Sequence, residues 1–467
     1  MAGLRANRSW RLMWAGATAS ALGDYVFDTT MVLWIGIVVA RGQPWAPAAV
    51  SGVLIAASIP AIFLGPVAGV FADRWNHRRT MLVADACRAV LMLALLPLAW
   101  PSVAGHVGRA GTLALTYLVV AAASCFSQFF NPAKFALVAE VVAPADLPQA
   151  SGMLMATFAL AGVIGPPIAA PLLFVSGVQW ALVINAASFA VSFGMLWLLR
   201  LPVADTVEAA DGETPAGFFA EFRAGLRFFA TNRVLLAIAI GVVIATLGTG
   251  VINVLNVFFI THNLHVAAKW YGVMGTADGI GAVIGALGAG VIAAKIAPRR
   301  IFWAGLLLVG VLILVYSRMT VLIPALVLLA LIGIGVGSLN TMISPLALSV
   351  TPQEMIGRVV AVIGPLQQVA NVVATAATGF LVSTALRGLH QSFAGTTFGP
   401  YDTVFAVGGL LFVIAGLATI PLLATAPAGQ AAQAAQAGQA AQDADSGATA
   451  VTPDSGTAGL PQDGGRE

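Results

Sequence analysis

Charge is the scarcest chemistry in this sequence. Asp, Glu, Lys and Arg together make up 9% of its 467 residues, against about 25% in soluble globular domains. A chain so poor in charge cannot present an ordinary water-facing surface. Cysteine is nearly absent. The two present, Cys87 and Cys125, fall inside apolar runs without metal-ligand spacing, which argues against a disulfide framework and for simple packing roles. The five histidines are scattered, and no pair has zinc-ligand spacing on a helix. The sequence has no Gly-x4-Gly-Lys-Ser/Thr phosphate loop and no Gly-x-Ser-x-Gly nucleophile elbow. Direct ATP drive and that class of enzyme are thereby excluded. No enzymatic activity, cofactor, metal or nucleic-acid partner is expected.

What the chain has in abundance is apolar length. Hydrophobic residues make up 59% of it and the mean hydropathy is +0.93. Runs of 18 or more apolar residues, each able to cross a ~30 Å hydrocarbon core as a helix, recur along nearly the whole length. Helices are required there because no water is present to satisfy backbone polar groups. Twelve spans are read near 12–39, 47–72, 80–100, 112–134, 151–175, 179–199, 234–260, 271–293, 301–317, 322–346, 358–385 and 402–424. The fold class is an all-α membrane protein of twelve transmembrane helices in two pseudo-symmetric six-helix halves. Arg5, Arg8 and Arg11 lead straight into a full-length span, so no cleavable secretory signal is expected.

The few charges are distributed unevenly. Sixteen Lys and Arg lie on the side of the N-terminus, five lie on the other side, and Arg88 alone is inside a span. The bias places both termini in the cytoplasm, with the protein in the bacterial inner (plasma) membrane. Residues 1–200 form the first half and 233–425 the second. The connector 201–232 turns amphipathic around Phe218–Phe229, suited to a helix in the cytoplasmic interface. From 426 to 467 the Ala/Gln/Gly and Ser/Thr/Pro/Asp/Gly composition has no apolar face to bury, and a disordered cytoplasmic tail is expected.

Between the second and third spans the chain reads Gly69-Val-Phe-Ala-Asp73-Arg74-Trp-Asn-His-Arg78-Arg79. A degenerate copy, Gly290-Val-Ile-Ala-Ala294-Lys295-Ile-Ala-Pro-Arg299-Arg300, occupies the matching loop of the second half. A second pairing sets Val142-Ala-Pro-Ala-Asp146 against Val350-Thr-Pro-Gln-Glu354. Two halves related by such repeats are a transporter architecture, with the substrate site near the midplane between them.

Over roughly residues 8–425 the chain resembles the major facilitator superfamily, and within it the bacterial drug and siderophore exporter branch. The likeness rests on the loop above, on Ser20-Ala-Leu-Gly-Asp24, and on Phe129-Phe-Asn-Pro-Ala-Lys134. It rests also on Gly162-Val-Ile-Gly165-Pro166-Pro167, Ile184-Asn-Ala-Ala-Ser-Phe189 and Gly357-Arg-Val359. The resemblance implies a cytoplasmic gate motif of Gly69, Asp73, Arg74, Arg78 and Arg79, with Asp73 facing the start of the eleventh helix. The motif's usual second glycine is here Asn76, which tolerates left-handed backbone. The resemblance also makes Gly162, Gly165 and Pro166 a helix-packing motif in the fifth span. Three glycines of the antiporter pattern are alanines here, Ala161, Ala169 and Ala170.

Ionisable groups inside spans are costly, about 2.5–3.5 kcal/mol at a helix centre, and each is a functional candidate. Asp24 and Asp28 share one face of the first helix, and Asp278 lies in the eighth; these three are the proton or substrate candidates. Asp85 and Arg88 are expected to pair with each other or to brace the cytoplasmic end. Gln128, Asn253, Asn256 and Asn340 are polar candidates for the cavity wall, with Ser127, Thr341, Gln367, Gln368 and Asn371 as further choices. The expected function is secondary active transport by a monomer in the lipid bilayer. The favoured mode is proton-coupled efflux of a lipophilic or amphipathic small molecule by alternating access. Uptake of a small metabolite and a non-transporting sensor or partner role are the alternatives.

Overall fold

The computed structural model describes residues 4, 7–72, 74–199, 227, 231–352, 355–389, 391–393 and 396–424. Asp73, the tail 426–467 and, apart from Arg227, Thr231 and Asn232, the connector 201–232 lie outside the described residues.

Among the described residues twelve long helices follow one another: α1 (Arg8–Leu33), α2 (Ala46–Ala72), α3 (His77–Leu95), α4 (Pro101–Val141), α5 (Leu147–Pro171) and α6 (Val178–Trp197), then α7 (Arg233–His262), α8 (Tyr271–Ile292), α9 (Pro298–Tyr316), α10 (Leu322–Leu348), α11 (Ile356–Ser383) and α12 (Pro400–Ala424). Eleven are long and apolar enough to cross a membrane; α11, which carries Gln367, Gln368 and Asn371, is the other. A short antiparallel hairpin, β1 (Gln391–Phe393) with β2 (Thr396–Phe398), joins α11 to α12.

Local chemistry sets the helix ends. Asn7 caps α1 by accepting from the Trp10 amide at 3.0 Å, and its own amide donates to Val141 O at 2.6 Å, tying the start of α1 to the end of α4. Asn232 caps α7 through the amides of Val234 and Leu235. Such caps contribute about 1 kcal/mol each. Gly108, at φ 72° and ψ 167°, breaks α4 just after its first turns, a conformation only glycine adopts readily. Two helices end in π turns, α1 at Trp34–Val39 and α5 at Leu172–Ser176.

The two-half repeat is visible in which helices touch. In the first half α1 packs on α5 and α6, α2 on α4, α3 on α4 and α6. In the second half α7 packs on α11 and α12, α8 on α10, α9 on α10 and α12, which is the same set of pairs six helices later. Between halves the main seams are α2 with α11 and α5 with α8, again equivalent under the repeat.

The equivalent pairs reach their packing by different means. Helices α8 and α10 interlock through glycines. A Cβ on Gly281 would stand 2.0 Å from Ala330 O, one on Gly285 2.0 Å from Ile334 O, and one on Gly337 2.0 Å from Ala282 O. Small residues at such spacing let backbones approach within a membrane. Their counterparts α2 and α4 are held instead by side chains, with Tyr117 Oη donating to Ala49 O at 2.7 Å and Ser124 Oγ to Ala57 O at 2.6 Å. Trp10, Met13, Met81, Phe130, Leu137 and Leu154 form the core of the first half at the end where α2 meets α3. Phe259, Tyr316 and Phe405 form an aromatic cluster in the second half, with Phe405 edge-on to the other two. Large apolar side chains such as Leu118 (66% exposed), Leu287 (70%) and Ile323 (70%) form the outer face, which lipid would cover.

Candidate functional site

A cavity of about 210 Å³ lies between the halves. Helix α1 contributes Phe27, Asp28 and Met31, α2 contributes Val53, Leu54, Ala57 and Ser58, and α4 contributes Val120. From the second half come Asn253 on α7 and Asn371 and Thr375 on α11. The spacings of three and four residues place each helix's contribution on one face. The wall is mostly apolar with a few convergent polar groups, and Asp28 is its only charge. Asp28 is exposed to the cavity, and no cation stands within ion-pair distance of it among the described residues.

The cavity is closed towards the end of the bundle where α1 meets α2. Asn371 Nδ2 donates to Ser58 Oγ at 3.3 Å, joining the halves at the cavity edge. Further along the same seam a Cβ on Gly379 would meet Ser51 Oγ at 2.2 Å, and the Ala48 amide donates to Ser383 Oγ at 3.1 Å. On the α5–α8 seam Thr276 Oγ1 donates to Val163 O at 3.1 Å, and a Cβ on Gly272 would meet Pro166 O at 2.2 Å. All these contacts fall in the first half of α2 and α8 and the second half of α5 and α11, which is one end of the bundle.

Asp24, one turn before Asp28, belongs to a different environment. Its carboxylate is 3.9 Å from Arg88, which also donates to Asp85 at 2.5 Å and to Ser127 at 3.4 Å. The Arg88 guanidinium sits between the rings of Phe130 and Phe189, at 4.4 and 4.3 Å from their centroids. Asp24 is therefore partnered, whereas Asp28 is not. Asp278 is half-buried on α8 and does not line the cavity; its carbonyl lies where a Gly333 Cβ would come within 2.2 Å.

Of the four polar cavity candidates, Asn253 alone lines the wall. Asn256 is 5% exposed and accepts from the Tyr316 hydroxyl at 2.5 Å, so its amide is taken up inside the second half. Gln128 donates to Ser124 O on its own helix, and Asn340 is exposed away from the cavity wall. Ser58 and Thr375 escaped sequence reasoning, because a hydroxyl in a helix is common and usually bonds its own backbone.

Lys134, counted by sequence among the charges of the cytoplasmic side, is 1% exposed. Its ammonium lies 4.1 Å from the Phe158 ring centroid and donates to Asn131 Oδ1 at 3.1 Å. Desolvation of the stem and the aromatic faces explain how a cation is tolerated there.

In the α2–α3 loop Asn76 is not left-handed. At φ −65° and ψ 108° it is the N-cap of α3, accepting from the Arg79 amide at 3.0 Å. Arg78 donates to Leu196 O at 2.8 Å and Trp197 O at 2.6 Å, satisfying carbonyls at the end of α6. His77 bonds Glu140 of α4. Arg74 and Arg79 are exposed, and a Cβ on Gly69 would meet nothing within 4 Å. In α5, Gly162 and Gly165 lie against Tyr25 of α1, where a Cβ on Gly165 would come within 2.6 Å of the Tyr25 Cβ. Pro166 is buried in the last turns of α5.

Twelve helices among the described residues, eleven of them long and apolar enough to cross a membrane, in two matched halves around a central cavity define a secondary transporter fold. The chain belongs to the Major Facilitator Superfamily, whose sequence profile matches residues 13–245 and 238–453. It is 27% identical over 343 residues to the multidrug efflux pump Tap of Mycobacterium tuberculosis, covering 72% of this chain and 79% of that protein. It is 27% identical over 370 residues to the enterobactin exporter EntS of Citrobacter koseri, covering 78% of this chain and 80% of that one. Among solved structures, a bacterial homologue of the iron transporter ferroportin in the inward-facing state matches with a TM-score of 0.69 at 14% identity, over 89% of this chain and 98% of that one. A bacterial homologue of the lysosomal transporter Spinster, also inward-facing, matches with a TM-score of 0.63 at 13% identity, over 89% and 96%. At such identities the structural matches speak for the fold alone.

Proposed function

We propose that the protein is an exporter that moves lipophilic or amphipathic small molecules out of the cell in exchange for protons by alternating access. The observation that carries this reading is the cavity between the halves, apolar on most of its wall with the unpartnered carboxylate of Asp28 in it. An acid held among apolar groups can take a proton or pair with a cationic group on the cargo, and exclusive use by one or the other couples the two fluxes. The relatedness to efflux pumps for drugs and for a siderophore supports the direction and the class of cargo.

The excess of Lys and Arg supports a cytoplasmic location for both termini and for the α2–α3 end. The seams at the opposite end then close the cavity to the outside, and the chain is in an inward-facing state. On this reading Asp73 and Arg74 take part in closing the cytoplasmic side in the other state. The protein works as a monomer. Everted vesicles should accumulate a lipophilic cationic dye only while a proton gradient is imposed. Accumulation by Asp28→Asn at the wild-type rate would remove the coupling role of that carboxylate, and accumulation by intact cells would reverse the direction.

A further inference from the structure

Three departures from regular α-helix meet at one place in the first half. The π turn Trp34–Val39 ends α1, the 3-10 turn Leu96–Ala99 follows α3, and α4 breaks at Gly108. Between them lies a second cavity of about 300 Å³ that shares no residue with the central one. Irregular backbone at membrane depth is tolerated where it lines a cavity, and π turns recur at functional sites. The walls are apolar, with Trp34, Val38, Leu98 and Pro101 among them, and Arg109 is the one charged residue.

Arg109 is exposed, and no carboxylate lies within ion-pair distance of it among the described residues. Thr112, on the same wall, donates its hydroxyl to Gly108 O at 2.9 Å and so is taken up by its own helix, and Arg109 is the one cation of the wall. The depth of the site is marked by Trp100 and Trp180, each about half exposed at this end of the bundle (51% and 52%). Tryptophans of this kind sit at the headgroup level of a bilayer. Val38, on the same wall, is 50% exposed, so the slot is open there rather than sealed.

We propose that this cavity binds the headgroup of an anionic phospholipid, in the outer leaflet given the orientation above. The phosphodiester takes the Arg109 guanidinium, whose planar donors suit two phosphate oxygens. The glycerol and first acyl carbons fill the slot between the α1 π turn and the start of α4. The wall holds no carboxylate to receive an ammonium, so a zwitterionic headgroup leaves its amine without a partner. Nothing in this site depends on the cargo or the coupling ion of the transporter.

The test is native mass spectrometry of the full-length protein from detergent, titrated with phosphatidylglycerol or with phosphatidylcholine of the same chains. Phosphatidylglycerol should bind as one tightly retained molecule, about tenfold more strongly than phosphatidylcholine, and Arg109→Gln should remove that difference. A Cβ on Gly105, which also lines the slot, would meet nothing within 4 Å. Gly105→Leu should therefore fold normally and weaken the same adduct by occupying its space while keeping Arg109. Equal retention of the two lipids would overturn the proposal, as would an Arg109→Gln protein that keeps the preference. Displacement by an equal concentration of soluble glycerol 3-phosphate would also overturn it, because a free phosphate would then suffice.

Discussion

Asp85 and Arg88 stand one turn apart on α3, joined at 2.5 Å, and their side chains are 0% and 3% exposed. Removing one partner leaves the other charge buried, which costs about 3–5 kcal/mol in such settings. Asp85→Asn should therefore lower the thermal unfolding midpoint in detergent, more than exposed Arg79→Gln does. The double change Asp85→Leu with Arg88→Met should recover part of the loss, since no charge is then stranded. Equal midpoints for Asp85→Asn and wild type would show that the pair contributes nothing to stability.

The two acids of α1 should respond differently to neutralisation. Asp28→Asn removes the only charge of the cavity wall and is expected to reduce gradient-driven dye transport at least about tenfold, the scale of a lost charge contact. Asp28→Glu keeps the carboxylate and should retain measurable coupled transport. Asp24→Asn loses a 3.9 Å contact with an arginine that keeps Asp85, so a smaller loss is expected. Transport rates measured with and without an uncoupler separate the outcomes, and equal losses in the two Asn variants would contradict the distinction.

The seams that close one end of the cavity should be lockable. In a background lacking Cys87 and Cys125, the pair Ala48→Cys with Ser383→Cys puts thiols on two residues that touch across the seam, the Ala48 amide and the Ser383 hydroxyl being 3.1 Å apart. Oxidation should arrest transport and reductant should restore it. Conversely, Gly379→Val and Gly272→Val have no room for a side chain at Ser51 and Pro166. Both should shift distances between spin labels on the two halves towards a state open at that end. Unchanged distances in both variants would show that the seams do not set the equilibrium.

The glycine interlock of α8 and α10 should tolerate no growth. A Cβ on Gly281 or Gly337 would stand 2.0 Å from a carbonyl oxygen of the facing helix. Overpacking of this kind costs about 1–3 kcal/mol, and more where backbone cannot yield. Gly281→Val should reduce the yield of folded protein on size-exclusion chromatography, whereas Gly288→Val, where a Cβ meets nothing within 4 Å, should not.

Much of the fold could be read from apolar length alone. Spans expected at 47–72 and 322–346 are helices at Ala46–Ala72 and Leu322–Leu348, because a ~30 Å hydrophobic slab leaves little freedom in where a helix can end. The fourth span began earlier than expected, since the turns from Pro101 precede a break that only the backbone at Gly108 reveals. The site was harder. Asn253 and Asn256 are three residues apart and nearly share a helix face, so periodicity could not separate them; the hydroxyl of Tyr316, sixty residues away, does. Ser58 and Asn371 acquire meaning only by meeting across the seam. The burial of Lys134 was not legible either, because a count of charges by loop cannot register the ring of Phe158 beside it.

The α8–α10 interlock has a mechanical consequence. Two helices in backbone contact over 278–285 and 330–337 cannot slide or splay there without breaking that contact, so they bend and turn as a single beam. The α5 seam grips this beam near one tip, at Gly272 and Thr276. A push there is passed along the paired helices towards the opposite tip, where Leu287 and Val291 are exposed. The equivalent beam of the first half is bolted by the side chains of Tyr117 and Ser124, and is the more compliant of the two levers.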